Sequence, residues 1–170
     1  MTRCVVLFGF WMTLLMAGCG GPDRPSLVKA SGKVTLDGKP VEGAMVFLTL
    51  ATPDPKYKRP ARATTDAQGV FSPGTYGDGK DGLPLGKYKV GVQKTEFAEK
   101  VPENFNSENP GATPVKVRWL IPKAYSDPET SGLRVEVTSS GMTPPEIQLE
   151  SGGAKPVVES TAGKPRGNEP

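Results

Sequence analysis

The chain has 170 residues, the length of one ordinary domain, and a net charge of only +3, too small a basic surplus to point to a nucleic-acid partner. It contains no His, which excludes Ser-His and Cys-His hydrolysis, His-ligated zinc sites and histidine pH switches. Gly and Pro together account for 39 of the 170 residues, just under the range of roughly 25–30% that marks low complexity.

Residues 1–4 carry one charge, Arg3, and residues 5–16 (VVLFGFWMTLLM) are apolar apart from Thr13. Such a run is too short to span a bilayer, which takes about 20 helical residues, and it has the length of a signal-peptide core. Small residues and a cysteine follow at once. The run Leu15-Met16-Ala17-Gly18-Cys19 resembles the lipobox of bacterial lipoproteins, with Met16 where that pattern usually has Leu. The resemblance implies a signal peptide over residues 1–18 and lipidation of Cys19, which anchors the protein in a membrane. More than one acyl chain is needed for stable anchoring. Cleavage there leaves 20 basic and 18 acidic residues and a single Cys, so the mature chain forms no internal disulfide. Gly20 stands where the inner-membrane retention signal has Asp, which favours the outer membrane of the cell envelope.

Residues 19–28 then read as the lipidated Cys and a flexible tether. From residue 29 to 150 the pattern is period two, the signature of strands. Lys33-Val34-Thr35-Leu36 alternates into the turn Asp37-Gly38-Lys39-Pro40. Residues 44–50 (AMVFLTL) are nearly continuously apolar and predict a central strand covered on both faces. Asp66-Ala67-Gln68-Gly69 marks a turn between Ala63-Thr64-Thr65 and Val70-Phe71. Lys87-Tyr88-Lys89-Val90-Gly91-Val92-Gln93 alternates, with Tyr88, Val90 and Val92 inward. Residues 115–119 alternate again, which places Trp119 in the core, and residues 133–138 and 147–149 complete the strands. About seven short strands without a helical window predict an all-β sandwich. Residues 151–170, rich in Gly, Pro and Lys, predict a disordered tail.

The residues from Gly32 through Asp37-Gly38-Lys39-Pro40 to Val46 resemble the opening hairpin of carboxypeptidase regulatory-like domains. Thr65-Asp66-Ala67-Gln68-Gly69-Val70-Phe71 and Leu85-Gly86-Lys87-Tyr88-Lys89-Val90 are similar to their next hairpin and strand. The resemblance covers roughly residues 30–150. It implies a transthyretin-like, seven-stranded Greek-key β-sandwich that serves as an accessory or adhesive module and is seldom a catalyst. Two activities of such sandwiches lack their residues here. The hydrolases of the urate pathway use His, and the self-welded pilus modules need an Asn in the last strand, where Pro145-Glu146-Ile147-Gln148-Leu149 has none.

Three short motifs suggest chemistry and lack its context. Residues 77–82 (GDGKDG) match G-x-G-x-x-G, but a strand follows where a phosphate loop needs a helix N-terminus. Asp78 and Asp81 in the same stretch could hold Ca²⁺, yet the third and twelfth positions counted from Asp78 are lysines, Lys80 and Lys89. Ser26-Leu27-Val28-Lys29 fits S-x-x-K without the partner motifs of an acylating serine. What remains is surface. Tyr57 and Arg59 lie in a basic loop with Lys56, Lys58 and Arg62, and Phe97 and Phe105 lie on the long 95–114 loop. These four residues form the expected partner surface of a non-catalytic, cofactor-free module. Its expected partner is an envelope protein or, alternatively, a glycan.

Overall fold

The opening hairpin forms where the turn chemistry asks for it. Strand β1 (Gly32–Leu36) returns as β2 (Lys39–Pro40) through Asp37 and Gly38, whose φ angles are +50° and +76°. Positive φ at both central residues is the primed turn that matches strand twist, and Gly and Asp tolerate it best. This is a computed structural model, and it describes residues 25–54, 57, 59–76, 81–106 and 113–161. Cys19, the expected signal segment, Lys56, Lys58, Asp78 and the last nine positions of the expected tail lie outside the described residues.

The protein is all-β. After β3 (Met45–Leu50), β4 (Ala61–Thr64) and β5 (Val70–Phe71) come β6 (Gly86–Gln93), β7 (Thr95–Phe97) and β8 (Lys116–Trp119). A 3-10 turn at Lys123–Tyr125 precedes β9 (Arg134–Thr138), β10 (Gly141–Thr143), β11 (Glu146–Leu149) and β12 (Val157–Ser160). In one sheet β1 pairs in parallel with β11 on one side and antiparallel with β2 and β5 on the other. A five-stranded antiparallel sheet runs β10-β9-β6-β3-β4, and a third, three-stranded sheet runs β12-β8-β7.

The first two sheets close on one buried cluster. Val34, Phe71, Ile147 and Leu149 come from the first, and Val46, Leu48, Tyr88, Val90, Val92, Val135 and Val137 from the second. As the alternation of residues 87–93 predicts, Tyr88, Val90 and Val92 are completely buried while Lys87 is exposed. Two glycines allow close approach. Gly69 has φ +76°, and a Cβ there would lie 2.5 Å from the Val34 carbonyl oxygen. A Cβ on Gly91 would lie 2.7 Å from the Ser126 carbonyl oxygen, so the connection after β8 rests directly on β6.

Five details differ from the sequence expectation. Strand β3 is flanked by β4 and β6, but only Val46 and Leu48 are buried in it, and Met45 is 43% exposed. An antiparallel sheet in a sandwich needs only one dry face, and among the described residues no helical layer covers the other. Trp119 is half-buried rather than in the core, because β8 pairs with β7 and β12 and not with either core sheet. The 95–114 segment is not wholly loop, since Thr95–Phe97 continues from β6 as β7. Residues 157–160 are not structureless either. The β-branched pair Val157-Val158 gives them strand propensity, and they pair antiparallel with β8. At the other end, Val28 of the expected tether exchanges two backbone hydrogen bonds with Leu83, at 2.8 and 3.0 Å.

Strand β6 offers a direct test of this register. Val90→Ala should leave a cavity and cost about 2 kcal/mol in a urea titration. Lys89 sits on the other face in an ion pair with Glu129 and is partly exposed, so Lys89→Ala should cost no more than about 1 kcal/mol. Equal costs would mean that the register is wrong.

Candidate functional site

The four residues expected at a partner surface separate into two pairs. Tyr57 and Arg59 lie beside the end of β3 at Leu50, which pairs with Tyr88. Phe97 and Phe105 lie beyond the other end of the same strands, where Met45 pairs with Gln93. Roughly 3.3 Å per residue along β6 keeps the two pairs apart.

At the first end the structure corrects the reading of Tyr57. Its side chain is 4% exposed rather than offered to a partner. Its phenol lies 2.9 Å from Thr75 Oγ1, and the Thr75 hydroxyl donates to the Gly82 carbonyl at 3.1 Å. Thr75 has one hydroxyl proton, so the Tyr57 phenol is the donor to it. Burial pushes the Tyr57 phenol above its ordinary pKa. Desolvation raises Tyr88 likewise, and its hydroxyl donates to the Pro84 carbonyl at 2.8 Å. Both phenols are thus kept neutral and used as struts.

Asp81, considered above for Ca²⁺, has both carboxylate oxygens committed to backbone. They accept the amides of Thr75 and Tyr76 at 2.7 and 2.8 Å. Among the described residues no group of three or more His, Cys, Asp or Glu side chains is placed to hold a metal ion. Arg59 is exposed, with its guanidinium 6.0 Å from the centre of the Tyr76 ring. Between these residues and the end of β3 lies a cleft of about 500 Å³, lined by Thr49, Leu50, Pro53, Asp54, Tyr57, Arg59 and Pro60.

At the second end Phe97 and Phe105 meet edge to face, with ring centres 5.5 Å apart. They do not join the main core: Phe97 stays 47% exposed. Register puts Phe97, Val117 and Glu159 on the same face of the third sheet as Thr95, Trp119 and Val157. Val157 is 54% exposed, and Trp119 is half-buried. This face therefore carries four apolar side chains, Phe97, Val117, Trp119 and Val157, partly open to water, beside the polar Thr95 and Glu159. The opposite face carries ion pairs, Arg118 to Glu96 at 2.9 Å and Lys116 to Glu99 at 2.7 Å, together with the exposed Val158.

Trp119 and Val157 were absent from the expected surface. Alternation alone placed Trp119 inward, and the composition of the tail obscured the short β-branched signal at Val157-Val158. Glu159 ties β12 to β8. Its carboxylate accepts the indole N–H of Trp119 at 3.3 Å and the ammonium of Lys123 at 2.6 Å, and that ammonium lies 5.5 Å from the indole centre.

Compared with protein-family models, with curated proteins and with solved structures, the chain gives no significant match in any of the three.

The Glu159 latch is pH-sensitive in a defined direction. The Lys123 hydrogen bond holds the carboxyl below its ordinary 4.5. A carboxyl lowered on folding contributes stability above its unfolded value and loses it as pH falls through the folded value. The indole N–H resonance of Trp119 should therefore shift as pH is lowered below 4.5, and Glu159→Gln should abolish that titration. A titration that persists in the variant would assign it to another group.

Proposed function

We propose that this chain is an exported lipoprotein, anchored through Cys19 to the cell envelope, with the outer membrane favoured. Its domain serves as a non-catalytic module that docks an envelope protein. The open apolar face of the third sheet carries this reading. Phe97 and Val157 sit on the two outer strands of that face at 47% and 54% exposure, with the half-buried Val117 and Trp119 between them. Clustered exposed apolar side chains on a small domain mark interaction sites more often than isolated ones do.

We further assign the domain to the seven-stranded, Greek-key, transthyretin-like architecture of carboxypeptidase regulatory-like domains. Seven strands in two layers support this assignment: β5-β1-β11 in one and β4-β3-β6-β9 in the other. On this reading β2 and β10 are hairpin extensions, and β7, β8 and β12 form an appended ribbon. The non-catalytic reading draws support from the charged groups. Glu96, Glu99, Glu129 and Glu159 face lysine or arginine, and Asp66 and Asp81 cap backbone amides.

One observation favours a second reading, glycan binding. Trp119 presents a half-buried indole beside Glu159 and Lys123, a combination of aromatic ring and hydrogen-bonding groups suited to a sugar. A glycan array separates the two readings.

Anchoring and docking have separate tests. Cys19→Ala should abolish incorporation of a fatty-acid analogue and leave the precursor uncut. Labelling that survives in the variant rules lipidation at Cys19 out. For docking, a photo-crosslinking residue at position 117 should give a discrete adduct in intact cells. The double substitution Phe97→Ser and Val157→Thr should remove that adduct while the Trp119 indole resonance shows the third sheet still formed, since neither residue belongs to the main core. An adduct that persists at full yield places docking elsewhere.

A further inference from the structure

The cleft beside β3 lies at the other end of the molecule from the docking face and has its own chemistry. Its walls are Leu50, Pro53, Pro60 and Tyr57. The Tyr57 hydroxyl is already bonded to Thr75, so the aromatic ring is what Tyr57 adds to the wall. A volume of about 500 Å³ falls in the range that holds a small organic molecule.

Among the described residues two charged ones, Asp54 and Arg59, line the cleft, and they differ in availability. Asp54 is not free but already has an interaction of its own. Arg59 is exposed and rests against the Tyr76 ring, and among the described residues no carboxylate pairs with it. Arg59 is therefore the cation that the described part of the cleft offers to an anionic group. Contact with an aromatic ring restricts a guanidinium while leaving its N–H fork able to take a carboxylate side-on.

The neighbouring backbone argues for a compact ligand. Strand β4 is the outer strand of its sheet, but Arg62 within it already exchanges two backbone hydrogen bonds with Gly74, both at 3.4 Å. At the cleft end of β4 an extended peptide thus finds Arg62 already paired and Pro60 without an N–H to donate. We propose that the cleft binds a small amphiphilic carboxylate, with its apolar body against Leu50, Pro53, Tyr57 and Pro60 and its carboxylate on Arg59. This proposal is independent of the docking reading, because it uses none of Phe97, Trp119 or Val157.

The test titrates the ¹⁵N-labelled full chain with 4-phenylbutyrate and with 4-phenylbutanol, which share an apolar body and differ in the anionic group. The acid should saturably shift the amides of Leu50, Tyr57 and Arg59 and bind about tenfold more tightly than the alcohol, as one charge-assisted contact at a wet rim implies. Arg59→Gln should reduce acid binding to the level of the alcohol and leave the alcohol unchanged. Pro53→Trp, at an exposed wall position, should abolish both. Salt gives a check without any variant: raising NaCl from about 20 mM to about 500 mM should weaken the acid alone. The proposal is overturned if neither compound binds, if the shifts map away from the cleft, or if acid and alcohol bind equally. Acid binding that ignores both salt and Arg59→Gln overturns it as well.

Discussion

Strand β6 buries Tyr88, Val90 and Val92 completely while its two edges pair with β3 and β9. Much of the molecule is positioned by that arrangement. The Tyr88 hydroxyl fixes the incoming connection at the Pro84 carbonyl, and Ser131 donates its hydroxyl to the Val90 carbonyl. After Lys94, whose carbonyl accepts the Leu120 amide, the same chain continues into β7 and begins the third sheet. No Cys occurs among the described residues, so no disulfide within them shares this load. Removal of apolar side chains from water is then what chiefly holds the sheets together.

The two ends of β6 lead to different surfaces. At the Tyr88 end, buried phenols and the Asp81 carboxylate fix loops of high Gly and Pro content around an apolar cleft with arginine at its rim. At the Gln93 end the chain leaves the core, so its apolar residues have only a narrow three-stranded sheet to cover them. Val115 is buried there outside the main cluster, while Phe97 and Val157 remain open to water. The charge pattern of that sheet follows from the same geometry. Alternation places Glu96 and Arg118 on one face, and that face is wet enough to hold ion pairs worth little to stability.

Much of the strand content and the turn chemistry was legible in the sequence. Asp37-Gly38 and Gly69 occupy positive φ, as their residue types suggest, and Tyr88, Val90 and Val92 share the dry face. The partner surface was less legible. Tyr57 stands among basic residues and reads as exposed, but it is buried and its phenol is hydrogen-bonded to Thr75, 18 positions away in the chain. Arg59 and the pair Phe97 and Phe105 are at the surface, yet on opposite ends of the sheet. Val157 fell in a segment whose Gly and Pro content outweighed two β-branched residues.

Period-two alternation and turn residues are local signals, and by themselves they determined that this protein is built of short strands and which side of β6 is dry. Absence of His likewise closed whole classes of chemistry without any coordinates. Tertiary structure alone decided that β1 and β11 lie side by side in parallel, 111 positions apart at Thr35 and Glu146, whose side chains hydrogen-bond at 2.8 Å. It also decided that β8 leaves the sandwich, exposing part of Trp119, and that the tail returns to pair with it. The physical reason is that burial belongs to a residue's neighbours in space. Alternation shows that a strand has two faces, but only the packed chain shows what covers each of them.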